Sequence, residues 1–145
     1  MDIKRRPFAF DDLHAEVRFQ FGTLAEHLAL AYQADLTEFR LEPFEGLRGP
    51  DRQNHLFTEG TTKARAWESA HQFGFVVDFV PKRLQFKPGE SEGRWNWYWP
   101  PVEHNDWKVL AELAAQHGLT TTIKWDPAHV EHPFWKQMRK VWKLA

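Results

Sequence analysis

The sequence contains no cysteine, which excludes disulfide bonds, thiolate metal ligands and a cysteine nucleophile. No apolar run is long enough for a transmembrane helix or for the hydrophobic centre of a signal peptide. Positive charge is not in excess, and the net charge of −1 at pH 7 argues against a protein that binds nucleic acid through its phosphates. We therefore expect a chain made in the cytoplasm without a signal peptide, with no nucleic-acid partner and no integral membrane association.

The length and composition fit one globular domain over residues 1–145. A chain of 145 residues buries roughly 68–70% of the surface that it exposes when unfolded, so a core is feasible without disulfides. Aromatic residues are abundant, with 8 tryptophans and 12 phenylalanines, and filling a small core with large rings is their ordinary use. No internal repeat, linker or low-complexity segment divides the chain.

Apolar residues at helical spacing predict four helices, over residues 10–33, from Pro50 to about Gly60, over 105–118 and over 132–145. The predicted capping residues are Asp11 or Asp12 in the first helix and Asn105 or Asp106 in the third. The predicted inward-facing residues are Phe10, Leu13, Val17, Phe21, Leu24 and Leu28 in the first helix, Trp107, Leu110 and Ala114 in the third, and Phe134, Met138 and Val141 or Trp142 in the last.

Alternating and β-branched residues predict short strands. These cover residues 37–49, ending near Gly46 or Gly49, residues 73–81, stopped by Pro81, and residues 94–101, 119–125 and 129–132. In the third of them, Trp95, Trp97 and Trp99 would share one face. Short strands that do not alternate regularly with helices favour an α+β fold, with a small, mostly antiparallel sheet flanked by helices.

Two segments, ESAHQFGFVVDF and KWDPAHVEH, bring histidines and aspartates close together in the sequence. His71 and Asp78 bracket a predicted strand, and Asp126 and His129 lie where a strand runs into a turn. A catalytic zinc needs about three His, Asp or Glu ligands, an open fourth position and a carboxylate that takes a proton from water. These four residues would supply that set. On its own, the spacing of His71 and Asp78 is weak evidence for a metal site, because many chains contain such a pair by chance, as an ordinary turn histidine and an acid at a strand end.

Several motifs in the same order resemble one family of zinc peptidases. SAHQFGFVVD, Ser69 to Asp78, resembles the Ser-x-His-x-x-Gly-x-x-x-Asp signature of D-Ala-D-Ala carboxypeptidases and L-alanyl-D-glutamate endopeptidases, many of which are phage endolysins. GLRGPDRQNHLFTEGTTKA resembles the segment ahead of the first zinc ligand, DWKVLAELAAQHGL the helix before the last motif, and DPAH the acid-x-x-His motif. The resemblance spans about Phe44 to His132 and implies a hedgehog/DD-peptidase-like fold.

The resemblance also implies roles for individual residues. Zinc would be bound by His71, Asp78 and His129, and Asp126 would be the general base. Arg48 would bind a substrate carboxylate or stabilise the oxyanion, because a guanidinium offers a bidentate fork.

Other positions are less specific. Ser69 matches the motif serine and is a candidate substrate contact, and Trp67 is a candidate pocket wall. Gln53 matches a family position but fits a packing role equally well. His132 competes with His129 as the third ligand. Relative to the family, bulkier residues at 75–77 and a tryptophan directly before Asp126 predict an altered pocket rim.

The resulting prediction is a zinc metallopeptidase that hydrolyses stem-peptide bonds of peptidoglycan, with L-Ala–D-Glu as the favoured bond. The alternatives are a D-alanyl-D-alanine carboxypeptidase or dipeptidase, and an inactive zinc-stabilised binding domain. We expect a monomer that acts on the cell wall, reaching it through a membrane pore made by another protein. The stripe of Trp95, Trp97 and Trp99 fits either core packing or stacking on sugar, and the basic C-terminus fits either a solvated helix or contact with an anionic wall or membrane.

Overall fold

The structure is a computed structural model that describes residues 4–33, 39–62, 64 and 70–138. Trp67 and Ser69, two predicted substrate contacts, lie outside the described residues, as do Val141 and Trp142 and most of the basic C-terminus. The helices are α1 (Ala15–Gln33), α2 (Pro50–Thr58) and α3 (Asn105–Gln116). The strands are β1 (Phe39–Glu45), β2 (Val76–Gln85), β3 (Arg94–Trp97) and β4 (His129–Glu131), and two 3₁₀ turns cover Phe10–Asp12 and Ala70–Phe73.

β2 is the central strand of one four-stranded sheet. It pairs with β1 along one edge, and with β4 and then β3 along the other. All these pairings are antiparallel. The predicted α+β class, with a small antiparallel sheet flanked by helices, is confirmed. Within the described ranges, none of the helices has the length and apolar character needed to span a bilayer.

The core lies between α1, α3 and the sheet. The predicted apolar face of α1 is confirmed, because four of its residues have no exposed surface: Val17, Phe21, Leu24 and Leu28. The face of α3 is also confirmed by its buried residues Trp107, Leu110 and Ala114. Phe10 was predicted to face inward but is 38% exposed, since it lies in the 3₁₀ turn before α1.

The predicted first helix is divided in two by a tertiary contact. After the 3₁₀ turn, Leu13 is extended, with φ −79° and ψ 153°, and α1 begins only after His14. The His14 N–H donates to the Gly74 carbonyl at 2.9 Å, which fixes this connection against the turn before β2. Periodicity does not reveal the break, because Leu13 is buried as it would be in a continuous helix.

Pro81 does not end β2, contrary to the prediction. The Tyr98 N–H donates to the Pro81 carbonyl at 2.8 Å, and the nitrogen and oxygen of a strand residue face the same edge. The nitrogen of Pro81, which has no hydrogen to donate, therefore points to the edge of β2 that carries β4 and β3, at a position between those two pairings. The ladder with β1, on the other edge, loses no hydrogen bond. For this reason β2 continues to Gln85.

The predicted strand over residues 119–125 is also wrong, because only one bridge forms there. Thr120 and Glu131 exchange two backbone hydrogen bonds of 2.9 Å. β-propensity reflects the fit of side chains to a half-buried sheet surface, and β4 offers only three residues as a partner. Beyond the bridge the chain leaves the sheet.

The predicted capping residues are not the observed ones, and α1 begins at Ala15, after both Asp11 and Asp12. The N-cap of α3 is His104, whose side chain accepts from the Asp106 N–H at 3.2 Å, rather than Asn105 or Asp106 itself. In the C-terminal segment Phe134 is 60% exposed and Trp135 is buried in its place. Met138 packs against the core as predicted.

Gly74→Ala is expected to destabilise the fold by about 2–3 kcal/mol, through a left-handed backbone and a steric clash. Gly74 has a φ of +75°, and a Cβ at this position would lie 2.7 Å from the His14 nitrogen. Gly89 is the matched control, because its φ is +82° and nothing lies within 4 Å of an added Cβ. Urea unfolding of both variants should give a clearly smaller loss for Gly89→Ala, and equal losses would contradict the close packing of His14 on Gly74.

Candidate metal centre and active-site cavity

Three buried side chains with metal-ligating atoms meet at one end of the sheet. They are His71, Asp78 and His129, whose ligand atoms all lie within 4.8 Å of one another. His71 lies in the second 3₁₀ turn, Gly74 turns the chain into β2, which carries Asp78, and His129 faces Asp78 as the first residue of β4. The fold thus brings together the three residues that the sequence singled out, in a group that could hold a metal ion. That they bind zinc stays a prediction.

The tautomer of His71 supports a cation in this position. Its Nδ1 lies 2.7 Å from the Gly46 carbonyl oxygen, which only accepts, so Nδ1 carries the proton and donates. Burial lowers the pKa of His71, which keeps the ring neutral and leaves a lone pair on Nε2. The distance from His71 Nε2 to Asp78 Oδ1 is 3.3 Å. Two acceptors facing each other in a buried site is an arrangement that a metal ion would satisfy.

Asp78 has one oxygen directed to the histidines and the other to an arginine. Its Oδ1 lies 3.3 Å from His71 Nε2 and 3.6 Å from His129 Nδ1, and it is buried with no hydrogen-bond partner among the described residues. Its Oδ2 lies 3.6 Å from an Arg48 nitrogen. Burial by itself raises the pKa of Asp78, but the positive charge around it, including that of Arg48, brings it below its ordinary value of 3.8. The carboxylate is therefore ionised, as a metal ligand must be.

Glu131, a residue that the sequence interpretation missed, lies behind His129. His129 Nε2 is buried and lies 3.6 Å from Glu131 Oε2, which leaves Nδ1 directed to Asp78 and Asp126. Although burial disfavours the charged ring, the surrounding carboxylates raise the pKa of His129. The signal for Glu131 was available, because residues two apart in a strand share a face. Metal-ligating histidines commonly have such a carboxylate behind them.

Asp126 lies beside this group without belonging to it. Backbone bonds from Asp126 N–H to Ile123 O (3.1 Å) and from His129 N–H to Asp126 O (3.2 Å) form two successive turns. They place Asp126 Oδ2 4.0 Å from His129 Nδ1. Burial and the charge of Asp78 raise the pKa of Asp126 to about 6. Such a carboxylate is suited to accept a proton near neutral pH.

The competing histidine, His132, does not join the group. Its ring lies tilted by 54° against the Phe134 ring, with the ring centres 5.9 Å apart, and its Nδ1 accepts from the Phe134 backbone N–H at 3.0 Å. The backbone N–H of His132 donates to the carbonyl of Phe75, the residue before β2. This bond lies along the edge of β2 that pairs with β4, opposite the edge that pairs with β1. The alternation of side chains along β4 puts His129 and Glu131 on the site face and His132 outside it.

A buried network holds Arg48, the predicted substrate-binding arginine. Arg48 donates to Glu45 Oε1 and to Gln53 Oε1, both at 2.9 Å, and Gln53 has no exposed surface. Arg52 also donates to Glu45, at 2.7 and 3.1 Å. Burial tends to raise the pKa of Glu45, but the two arginines bring it below its ordinary value of 4.5. Arg48 is thus aimed at Asp78 by residues that the sequence interpretation did not select, apart from Gln53.

A cavity of about 580 Å³ opens over these residues, a size typical of small-ligand sites. The three candidate ligands, Arg48 and Asp126 all line it. Its rim is aromatic, with Trp99 and Trp125, which are 55% and 49% exposed. The predicted bulk from residues 75–77 is absent from the cavity, because Phe75, Val76 and Val77 are buried in the core.

The sheet order, the helices around it and the buried His-Asp-His group describe an α+β protein with a candidate metal centre. Among solved structures, the chain is similar to Serratia marcescens L-Ala D-Glu endopeptidase ChiX, with a TM-score of 0.51 and 20% sequence identity. The similarity covers 88% of this chain and 86% of that chain. No protein-family model matches the chain, and no curated protein sequence matches it significantly. At this identity the likeness establishes the shared fold.

Proposed function

We propose that the protein is a zinc-dependent peptidoglycan peptidase that cleaves the L-Ala–D-Glu bond of stem peptides. The observation that carries the proposal is the buried group of His71, Asp78 and His129 beside the carboxylate of Asp126 in an open cavity. Two imidazoles and one carboxylate are a donor set of catalytic zinc, which keeps a further position for water. The bond is chosen because the chain shares the fold of a protein described as an L-Ala D-Glu endopeptidase.

In this proposal Asp126 transfers protons, and Arg48 positions the metal ligand Asp78. Zinc, when bound, would act as a Lewis acid toward the scissile carbonyl and the attacking water. Asp126 would take the proton from that water and return it to the leaving amine. Arg48 would hold Asp78 in place, since its described polar contacts are with Glu45, Gln53 and Asp78. A direct contact of Arg48 with substrate, and the roles of Ser69 and Trp67, stay predictions.

The proposal is tested by mass spectrometry of purified peptidoglycan after incubation with the zinc-loaded protein. New D-Glu amino termini are expected. Loss of terminal D-Ala alone would replace the endopeptidase by a carboxypeptidase. Absence of any cleavage, with zinc shown to be bound, would favour the inactive binding domain, although a purely structural zinc has no use for a carboxylate such as Asp126.

One feature of the cavity favours the carboxypeptidase as the second candidate. A carboxypeptidase must bind a terminal carboxylate, and Lys136 is an exposed cation on the cavity wall. Its ammonium group lies 5.8 Å from the Trp135 ring, and no ion pair with another described residue involves it. Arg52, also on the wall, is instead neutralised by Glu45. The peptidoglycan products distinguish the two activities.

Glu131→Ala is expected to weaken zinc binding by about 10–100-fold, the usual effect of removing a carboxylate behind a ligating histidine. Competition with a chromogenic chelator measures this without any assay of activity. Glu103→Ala is the control, because Glu103 is an exposed carboxylate in the loop before α3. If Glu131→Ala binds zinc as tightly as the Glu103 variant does, Glu131 does not orient His129.

A further inference from the structure

The sheet face that carries Asp78 continues away from the cavity as a row of rings and cations. Residues directly opposite each other in an antiparallel pair point to the same face. Four residues beyond Asp78 on β2, and therefore on the same face, Lys82 lies between Arg40 of β1 and Trp97 of β3. We call this row the aromatic strip. Its members are Arg40, Phe44, Lys82, Trp95, Trp97 and Trp99.

Cations and ring edges fix the orientation of the rings in the aromatic strip. The Arg40 guanidinium lies 4.2 Å from the centre of the Trp95 ring, and the Lys82 ammonium lies 4.3 Å from that of Trp97. Cation–π contacts of this length are attractive. The rings are therefore held in place before any ligand binds, which lowers the entropic cost of binding.

The aromatic strip is continuous with the cavity. Phe44 meets Trp97 edge-on at 4.9 Å and Trp99 at 5.4 Å, and both Phe44 and Trp99 line the cavity. Part of the strip faces solvent, because Arg40 and Trp99 are exposed and Trp95 is half-buried. Phe44 and Trp97 pack against the core, and the Arg5 guanidinium lies 4.2 Å from the centre of the Phe44 ring.

We propose that the aromatic strip binds the saccharide strand of peptidoglycan while the cavity holds the stem peptide. This inference rests on the proposed function. Aromatic rings present flat apolar surfaces to the C–H faces of sugars, and guanidinium and ammonium groups donate to hydroxyl and acetamido oxygens. The net charge of −1 argues against a nucleic acid as the polymer, since binding phosphates requires a basic excess.

The dimensions agree with this assignment. L-Ala and the lactyl group of the sugar separate the L-Ala–D-Glu bond from the sugar ring, a reach of roughly 7 Å if the lactyl group spans about as much as one residue. The first sugar must therefore lie at the cavity wall, where Phe44 and Trp99 are found. From Asp78 to Leu84, which pairs with Trp95, β2 extends for about 20 Å at roughly 3.3 Å per residue. A strand of several sugars could follow the strip over that length.

The test uses glycan strands freed of stem peptides, so that binding is measured without hydrolysis. Titration calorimetry compares the wild type with Trp95→Ala, Trp95→Phe and Arg40→Ala. Phe19→Ala is the control, because Phe19 is 80% exposed on α1, outside the strip. Trp95→Ala is expected to weaken binding about tenfold and Trp95→Phe less, because a ring is retained. Arg40 is a surface residue, and Arg40→Ala keeps the test valid if Trp95→Ala unfolds.

The outcomes separate this inference from the proposed function. Weaker binding by the Trp95 and Arg40 variants, with Phe19→Ala at wild-type affinity, supports the strip. No glycan binding by the wild type, or equal binding by all variants, overturns the strip even if stem peptides are cleaved. Glycan binding through the strip without cleavage of stem peptides would instead overturn the proposed peptidase and leave the strip in place.

Discussion

Asp126→Asn is expected to lower the rate of stem-peptide hydrolysis by about 10²–10⁴-fold, the usual contribution of a general base. The amide has the size of the carboxylate but does not take the proton from water. Asp126 lies beside the ligand group and is not one of its three members. Zinc binding should therefore stay within a few-fold of the wild type. Steady-state kinetics on a soluble stem peptide and zinc titration of the same preparation measure the two quantities.

Asp11→Asn provides the matched control for this variant, since Asp11 is an exposed aspartate in the first 3₁₀ turn. It should have wild-type activity. Two results would count against the assignment of the base: full activity of Asp126→Asn, or loss of zinc together with activity. The second would mean that Asp126 is itself a ligand, and the structure would then need a different residue as the base.

Glu45→Ala is expected to destabilise the metal-free protein by about 3–5 kcal/mol, because breaking a buried ion pair leaves the partner charge uncompensated. The Glu45 side chain is 3% exposed and holds two arginines, Arg48 and Arg52, at 2.9 and 2.7 Å. Glu42→Ala is the control on the same strand. Glu42 pairs with Lys82 at 3.0 Å but is 36% exposed, and such surface pairs contribute about 0–1 kcal/mol.

The difference between the wild type and Glu45→Ala should depend on pH. The arginines lower the pKa of Glu45 in the folded protein below its ordinary value of 4.5. A depressed pKa of this kind stabilises the fold above the ordinary value, and the contribution is lost as pH falls through the folded pKa. Urea unfolding at a series of pH values should show the full difference near neutrality and a smaller one in acid. A loss of stability no larger than that of Glu42→Ala would contradict the network.

Local patterns were sufficient for the helices in which one continuous apolar face is buried. The apolar periodicity of α1 and α3 identified their buried faces, and Pro50 and Gly118 marked a beginning and an end. The same reasoning failed where a distant residue decides the outcome. The break before α1 depends on Gly74, and the passage of β2 through Pro81 depends on which strands lie along that edge.

The sequence by itself determined the chemistry of the candidate site: without cysteine, ligand atoms had to come from histidine and carboxylate side chains, and the resemblance of its motifs to a family of zinc peptidases pointed to His71, Asp78, His129 and Asp126. Only the tertiary structure decided which residues contact these side chains and the arginine beside them. The Gly46 carbonyl sets the tautomer of His71, Glu131 lies behind His129, and Glu45 holds Arg48. The physical reason is that these partners are chosen by strand register and chain reversal. Gly46 and His71, for example, are 25 residues apart, a separation at which side-chain spacing in the sequence carries no information about contact.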